Sequence, residues 1–256
     1  MRITVCELPH QSEELARLWD ALCEHTLHHR SELVLLPEFA FVEPVWKAER
    51  FDPLRWAATE DMCDKWLRRL PELHAVHVVG ARPATINGQQ YNEGFVWSAD
   101  RGVVPLRRKY FLPNEPGGWE GRWFTPGDAE FPRFTAGRLS FGLNICTELW
   151  ALETYLAYAS LGINAILSPR ATASATTNKW LSLGTVAAVR SGAFCLSSNR
   201  VHSDGSCGGV SWIIGPDGDL LATTSAQTPF RTVDIDLEAT TGALRTYPRY
   251  VFHADA

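Results

Sequence analysis

Glu38, Lys109 and Cys146 each close a short apolar or β-prone run: Leu-Val-Leu-Leu-Pro, Pro-Leu-Arg-Arg and Phe-Gly-Leu-Asn-Ile respectively. A carboxylate, an amine and a thiol at the ends of strands supply a proton acceptor, a positive charge and a nucleophile. This set of side chains predicts covalent acyl chemistry at a cysteine.

Each of these side chains has a simpler explanation when it is taken alone. A free cysteine in an apolar run is usually a small core residue. Lys109 follows two arginines and, by itself, fits a solvated basic edge. Glu38 either leaves its strand end for solvent or is held in a site. The occurrence of all three together favours a reactive centre.

Short apolar runs alternate with amphipathic stretches along the chain, which predicts an α/β layered fold. Helices are expected around 13–23, from a cap at Thr59 to Leu70, and over 151–159 and 177–191. Strands are expected at 1–6, 33–37, 74–80, 91–98, 102–109, 131–135, 139–146, 165–169, 194–199, 210–214, 220–224 and 232–237. The pairs 91–98 with 102–109 and 131–135 with 139–146 are predicted hairpins. We expect two mixed sheets with helices on their outer faces.

Composition limits the classes of protein that fit. A chain of 256 residues with 45% hydrophobic side chains suits a single domain over 1–256, with the aperiodic tail 238–256 as a candidate subunit interface. A net charge of -5 without a basic stripe argues against a nucleic-acid partner. The six cysteines are dispersed without a CxxC pair, which favours reduced thiols and a cytoplasmic location. No apolar run is long enough to predict a membrane span.

The order and context of these motifs resemble the nitrilase (carbon-nitrogen hydrolase) superfamily, whose members carry a Glu-Lys-Cys triad in this order. Leu-Leu-Pro-Glu38-Phe, Arg-Arg-Lys109-Tyr-Phe-Leu-Pro and Gly-Leu-Asn-Ile-Cys146-Thr-Glu-Leu-Trp are similar to the three family motifs. Weaker similar stretches begin at Tyr91, Phe124, Leu196 and Gly208. The resemblance covers nearly the whole chain and implies a four-layer α-β-β-α sandwich of two mixed sheets.

A second glutamate is similar to one that the family carries before a Pro-Gly-Asp turn. Glu120 stands at the matching offset, and Glu115 is the alternative. A carboxylate near the amine of Lys109 would help to keep it protonated and oriented. The competing interpretation of Glu120 is a carboxylate in a surface loop.

The resemblance also implies a mechanism without metal or cofactor. Glu38 would take the thiol proton, and Cys146 would attack an amide-like carbonyl carbon. Lys109 and the backbone N–H of Thr147 would stabilise the negative oxygen that develops. Loss of the amine would leave a thioester, which water would hydrolyse.

Three further residues are expected to contact substrate: Glu148, Trp150 and Arg170. Many relatives carry an acidic residue two positions after the cysteine and an arginine four positions after it. This chain keeps the first as Glu148 and has Trp150 in place of the second, which weakens the case for a carbamoyl-acid substrate. Arg170, just past a predicted strand, could bind an anionic group instead or lie on the surface.

The sequence therefore predicts a thiol amidohydrolase acting on a small linear amide, in a homodimer or larger homo-oligomer. A nitrilase or N-carbamoyl hydrolase with the same triad is the nearest alternative. A thiol acyltransferase and a catalytically silent binding protein are alternatives of other classes. A metal-dependent phosphodiesterase would need an acidic and histidine cluster that the sequence does not offer, since His25, His28 and His29 fit a helix C-terminus better.

Overall fold

Residues 1–252 are described by a computed structural model, in which strands and helices alternate as the sequence predicts. The strands are β1 (Arg2–Leu8), β2 (Leu33–Glu38), β3 (His77–Ile86), β4 (Gln89–Ser98), β5 (Gly102–Arg108), β6 (Phe134–Ala136), β7 (Leu139–Leu143), β8 (Ala165–Arg170), β9 (Phe194–Arg200), β10 (Trp212–Ile214), β11 (Leu220–Thr223) and β12 (Phe230–Asp234). The α-helices are α1 (Ser12–His29), α2 (Pro53–Leu67), α3 (Glu120–Trp123), α4 (Glu153–Ser160), α5 (Thr177–Ser191) and α6 (Ala239–Ala243).

The strands form two halves that meet at β1. One half runs β5-β4-β3-β2-β1, and the other continues through β9-β8-β7-β6. β1 pairs in parallel with β2 along residues 3–5 and with β9 along residues 7–8, while β12 pairs antiparallel to it. β2–β3, β7–β8 and β8–β9 are parallel, whereas the hairpins β3–β4, β4–β5 and β6–β7 are antiparallel. The predicted α/β class with mixed pairing is confirmed.

Two apolar clusters hold the strands and helices together. In one, side chains of α1 and α2 pack against β2, β3 and β4, with Trp19 fully buried. In the other, side chains from both halves of the sheet pack with those of α4 and α5, around residues such as Phe141 and Trp212. Burial of this much apolar surface is the main force that fixes the strand order.

The cap of the second helix differs from the prediction. α2 begins at Pro53, and the side chain of Asp52 accepts hydrogen bonds from the backbone N–H groups of Leu54 and Arg55. Thr59 lies inside the helix, where its hydroxyl donates to the carbonyl of Arg55. The prediction of Thr59 as the cap was wrong because Asp-Pro is itself a helix start: aspartate accepts the free N–H groups, and proline suits the first turn.

The sequence predicted that Cys146 ends a strand, but it does not. β7 stops at Leu143, and Cys146 opens a short 3₁₀ turn that runs to Trp150. Its backbone φ is 50°, in the left-handed region that side chains other than glycine rarely adopt. Strained residues of this kind concentrate at functional sites.

The tail contains more structure than its lack of periodicity predicted. α6 and a 3₁₀ turn at Arg249–Phe252 occupy it, and residues 253–256 of the predicted interface segment lie outside the described residues. The buried Arg249 donates to the carbonyl of Pro216 at 2.8 Å and pairs with Asp217, which ties the tail to the β10–β11 turn. In residues 1–252 no helix combines the length and hydrophobicity needed to cross a membrane.

Candidate active site

The fold brings Glu38, Lys109 and Cys146 together from three parts of the chain. Glu38 is the last residue of β2, Lys109 follows β5 at the edge of the same half-sheet, and Cys146 follows β7 in the other half. Glu38 and Lys109 are completely buried, and Cys146 is 5% exposed. The site therefore lies where the two halves of the sheet approach each other, and water has little access to it.

Lys109 stands between two carboxylates. Its ammonium nitrogen lies 2.8 Å from Glu38 Oε1 and 2.8 Å from both carboxylate oxygens of Glu120. Burial alone would lower the pKa of Lys109, but the charges of Glu120 and Glu38 outweigh burial and raise it. Lys109 is therefore a permanent positive charge in the site.

Glu120 is placed at Lys109 by the short helix α3, and it is 3% exposed. Burial raises the pKa of its carboxyl to about 7, while Lys109 opposes the rise. Glu115, the alternative from the sequence, is exposed and forms a tight turn with Gly118 instead.

One oxygen of Glu38 is held firmly and the other is available. Oε1 accepts from Lys109 and also from the side-chain amide of Asn92 at 2.8 Å. Oε2 is buried and has no hydrogen-bond partner among residues 1–252. Asn92 also accepts the backbone N–H of Lys109 at 2.8 Å through its own carbonyl, so this residue fixes both members of the ion pair. Oε2 is the atom free to receive a proton.

The thiol of Cys146 is in an environment that favours the neutral form. Burial, and then the negative charge of Glu38, raise its pKa. Lys109 and the backbone N–H of Ala171 act in the opposite direction. Since the thiolate is the nucleophilic form, this cysteine needs a base beside it to react.

Glu148 lies in the turn that begins at Cys146, and its buried side chain binds the residues around that turn. It is fully buried and forms a two-point ion pair with Arg107, one contact being Arg107 Nη2 to Oε1 at 3.0 Å. It also accepts the backbone N–H of Ile145 at 2.9 Å and that of Tyr110 at 2.7 Å. Through Oε1 it binds Arg107 and Tyr110 on the lysine side, and through Oε2 it binds Arg107 and, on the cysteine side, Ile145. This position fits a residue that holds the loops of Lys109 and Cys146 together better than a substrate contact.

Arg170 is also engaged with the protein itself. It is 1% exposed, and its nitrogens donate to Ser197 Oγ, Thr172 Oγ1 and the carbonyl of Val210 at 2.6, 2.7 and 2.9 Å. Its guanidinium carbon lies 3.9 Å from the centre of the Trp212 ring, and burial lowers its pKa to about 9. Arg170 thus lacks the free fork of donors that binding of an anionic substrate requires.

Thr147 and Trp150 lie in the same 3₁₀ turn as Cys146. Thr147 is partly buried immediately after the cysteine, so its backbone N–H belongs to the turn that carries the sulfur. Trp150 is 48% exposed and packs edge-on against Trp180 at 5.6 Å. It is the last residue of the turn, four positions after Cys146.

Sequence reasoning missed Asn92 and Arg107. Asn92 lies in a stretch singled out for its resemblance, the one beginning at Tyr91, but no role was inferred for it. Arg107 was hidden because it precedes Arg108 and Lys109 in a run that looks like a basic edge. Their roles depend on contacts between residues far apart in the chain, which local pattern does not encode. Within residues 1–252 no group of three or more His, Cys, Asp or Glu side chains is arranged to hold a metal ion.

An α/β fold that buries a thiol beside a carboxylate and a lysine ammonium is suited to an enzyme that works through a cysteine nucleophile. The sequence profile of the carbon-nitrogen hydrolase family matches residues 2–245. The chain belongs to this family, and the resemblance to the nitrilase superfamily is confirmed.

The similar curated proteins share modest identity with the chain. An N-carbamoylputrescine amidase from Solanum lycopersicum is 28% identical over 153 residues, which are 53% of this chain and 51% of that protein. The nitrilase homolog 2 of Dictyostelium discoideum is 27% identical over 233 residues, 86% of this chain and 70% of that protein. The chain spans about half the length of the first of these relatives.

Solved structures share the fold. A carbon-nitrogen hydrolase from Helicobacter pylori G27 superposes with a TM-score of 0.86 at 21% identity, covering 100% of this chain and 95% of that one. A mutant amidase from Nesterenkonia sp. AN1, described as showing Michael addition of acrylamide at its active site cysteine, has a TM-score of 0.74 at 20% identity and covers 100% and 99%.

Proposed function

We propose that this carbon-nitrogen hydrolase is a thiol amidohydrolase that cleaves a small linear non-peptide amide through a thioester on Cys146. The observation that carries the proposal is the contact of Lys109 with Glu38 and Glu120, which fixes a positive charge and a carboxylate base in the environment of a buried thiol.

The first step transfers the thiol proton to Glu38 Oε2 as Cys146 Sγ attacks the carbonyl carbon. The C–O π electrons move to oxygen, and the Lys109 ammonium and the Thr147 N–H stabilise that negative charge. When the C–N bond breaks, the nitrogen leaves with the proton from Glu38. Water then attacks the thioester, Glu38 takes its proton, and release of the acid returns that proton to sulfur.

The nature of the substrate is inferred from relatives and from the placement of arginines. Relatives named N-carbamoylputrescine amidase and solved amidases support a small amide or carbamoyl compound. The guanidinium of Arg170 already donates hydrogen bonds to Ser197, Thr172 and Val210, which argues against a substrate carboxylate bound there. Nitriles remain a second candidate because attack of the same thiolate on a nitrile carbon needs the same groups.

We also propose how the chain is arranged and where it acts. Side chains of both half-sheets share one apolar cluster, which supports a four-layer α-β-β-α sandwich within a single domain over 1–256. Exposed apolar side chains on α4 and in the tail support a homodimer or larger assembly. All six cysteines are unpaired, which supports a cytoplasmic location.

Turnover of a panel of amides, nitriles and carbamoyl compounds tests the proposal. We expect acid and ammonia or amine from a subset of primary amides, and a loss of rate of at least about 10³-fold in Cys146→Ser. Cys23→Ser, which alters a half-buried cysteine on α1, is the matched control and should keep the wild-type rate. No turnover of any compound by the wild type would contradict the proposal.

An added amine nucleophile separates hydrolysis from acyl transfer. A hydrolase gives the acid as the main product even when hydroxylamine is present at low concentration, whereas an acyltransferase gives mainly the hydroxamate. A silent binding protein would bind amides with the same affinity in Cys146→Ser and would release no product. Either of these outcomes would replace the proposed function.

A further inference from the structure

The turn that follows Glu38 has an unusual backbone. Glu38 ends β2, and Phe39 begins a turn that Val42 closes by donating its backbone N–H to the Phe39 carbonyl at 3.3 Å. The φ of Phe39 is 49°, in the left-handed region that bulky side chains rarely adopt. Its N–H donates to the carbonyl of Ala81 on β3 at 3.0 Å. Because Phe39 follows Glu38 directly, the contacts that hold this turn also hold the backbone of Glu38.

The strand before Glu38 is irregular as well. The pairing of β2 with β3 shifts between Leu35 and Glu38, so that three steps along β2 match two along β3. An extra residue of this kind bends a strand and redirects the side chain beside it. Lys109 and Asn92 hold Oε1 of Glu38, so the position of Oε2 depends on where this backbone stands.

Arg200 holds the turn at residues 39–42 from β9. Its side chain is fully buried, and Nη1 donates to the carbonyl of Phe39 and, at 2.5 Å, to that of Val42. One amino group thus joins the first and the last residue of the turn. The other two nitrogens, Nε and Nη2, have no hydrogen-bond partner among residues 1–252. Within that part of the chain, the hydrogen bonds of this side chain all go to the turn.

Arg200 is itself fixed in the sheet and carries a charge. It is the last residue of β9 and pairs with Leu8 of β1. Burial lowers the pKa of its guanidinium to about 10, and the acidic groups of Cys207, Glu38 and Glu43 oppose this change. Arg200 is therefore a cation at neutral pH, and a charged donor forms a stronger hydrogen bond to each carbonyl.

We infer that Arg200 is a positioning residue for the base: by holding the turn at residues 39–42, it fixes the backbone from which Glu38 extends into the site. The inference rests on the proposed function, in which Glu38 takes the proton of Cys146. Arginine suits this position because its charged amino group has two hydrogens, one for each carbonyl. Lysine keeps the charge but is shorter, so its ammonium would not reach both carbonyls at once.

Alkylation in two backgrounds tests the inference without requiring a substrate. Iodoacetamide labels the thiolate, and peptide mapping reports the rate at Cys146. In Arg200→Lys a less restrained Glu38 can move away from the thiolate as it forms, so its charge opposes ionisation less. We expect labelling at neutral pH to be about threefold faster. In Glu38→Gln that charge is already absent, and adding Arg200→Lys should leave the labelling rate unchanged.

Arg249→Lys is the matched control. Arg249 is also a buried arginine that donates to backbone carbonyls, including that of Pro216 at 2.8 Å, but it lies in the tail. Its substitution should lower stability and leave Cys146 labelled at the wild-type rate. A merely structural role of Arg200 predicts the same acceleration in both Glu38 backgrounds. That result, an unchanged or slower rate in folded Arg200→Lys, or an equal acceleration in Arg249→Lys would overturn the inference.

A measurement on the wild type keeps the inference testable if Arg200→Lys does not fold. The amide of Val42 should exchange with solvent deuterium as slowly as the amides of β2, because Arg200 fixes the Phe39 carbonyl that accepts it. Rapid exchange at Val42 would contradict the inference. Failure of the proposed function is distinguishable, since it would appear as absent turnover in the wild type while the difference in labelling between the two backgrounds persists.

Discussion

At the scale of single residues, the site contains one positive charge and two carboxylates in a place that solvent does not reach. Lys109 contacts Glu38 and Glu120, and the excess negative charge opposes ionisation of Cys146. Transfer of the thiol proton to Glu38 moves this negative charge to sulfur without changing the total. The arrangement thus links formation of the nucleophile to protonation of the base, and a reactive thiolate need not be maintained in the resting enzyme.

Glu38→Gln separates two effects of this carboxylate: its negative charge, which opposes ionisation of Cys146, and its action as the base that accepts the thiol proton. Removal of its charge should lower the pKa of Cys146, because Glu38 raises it, so iodoacetamide should label Cys146 several-fold faster at neutral pH. Amide turnover should fall by at least about 10³-fold, since the base is lost. Rates of labelling and of product formation, measured on the same preparation, check both effects.

Glu93→Gln is the matched control for this experiment. Glu93 is a buried glutamate of β4, and its carboxylate pairs with Arg82 at 2.9 Å instead of with Lys109. Its substitution should leave the labelling rate of Cys146 as in the wild type. Slower labelling in Glu38→Gln would show that the charge of Glu38 does not oppose ionisation of the thiol.

Glu120→Gln should change how stability depends on pH. The folded-state pKa of Glu120, about 7, lies above its ordinary value of 4.5. Between these values the folded protein keeps a proton that the unfolded chain has released, so this group makes folding less favourable as pH rises. The free energy of unfolding of the wild type, relative to Glu120→Gln, should therefore fall by an amount on the order of 1–3 kcal/mol from about pH 5 to about pH 7.

Urea denaturation of both proteins across this range measures the difference. Lys109 keeps one carboxylate partner in the variant, Glu38, so its charge is not left alone. A constant difference between the two proteins, or a difference of the opposite slope, would contradict burial as the dominant influence on Glu120.

At the scale of elements, the loops that carry Lys109 and Cys146 are joined by one buried carboxylate. Glu148 binds Arg107 at the end of β5, the N–H of Tyr110 after Lys109, and the N–H of Ile145 before Cys146. It therefore sets the separation of amine and sulfur across the two half-sheets. A carboxylate is required because a neutral amide would leave the charge of Arg107 without a partner.

Glu148→Gln should destabilise the protein and disturb the site together. We expect a loss of about 3 kcal/mol in the free energy of unfolding, since a buried ion pair is broken on one side only. Glu43→Gln removes the exposed pair of Glu43 with Arg55 and should cost less than about 1 kcal/mol. Chemical denaturation compares the two, and equal losses would show that Glu148 is not the structural link described.

The sequence predicted most elements and the identity of the triad because both are marked by short local patterns of residues. α5 matches its predicted range, and the hairpin of β4 and β5 follows from a turn sequence between two β-prone runs. Asn92 could not be assigned a role from the sequence, since its role lies in contacts with Glu38 and Lys109, which are distant in the chain. The cap of α2 was misplaced because apolar spacing indicates the buried face of a helix but does not mark its first residue.

At the scale of the whole molecule, apolar side chains remain exposed on α4 and in the tail. Leu152, Leu156 and Leu161 at α4 are 40–52% exposed, and the tail adds Tyr250 and Phe252 at 54% and 59%. Exposed apolar groups that lie near one another favour burial against another surface. This is the basis on which a homodimer or larger assembly is proposed.

Leu156→Glu should weaken that assembly. A charge in an apolar contact is costly to bury, so we expect the molar mass from light scattering to fall toward that of a single chain at low micromolar concentration. Leu54→Glu alters a leucine of α2 that is 82% exposed and should leave the mass unchanged. A wild-type protein that is monomeric at all concentrations would contradict the proposed assembly.

Every step of the proposed turnover requires Cys146 to carry the acyl group of the substrate. Peptide mapping of protein quenched in acid while it turns over a primary amide detects that group, with Cys146→Ser as the blank. We expect the added mass of the acyl group on the peptide that contains Cys146 and on no other peptide. Sustained turnover with that peptide unmodified, or undiminished turnover in Cys146→Ser, would contradict the proposed role of this cysteine.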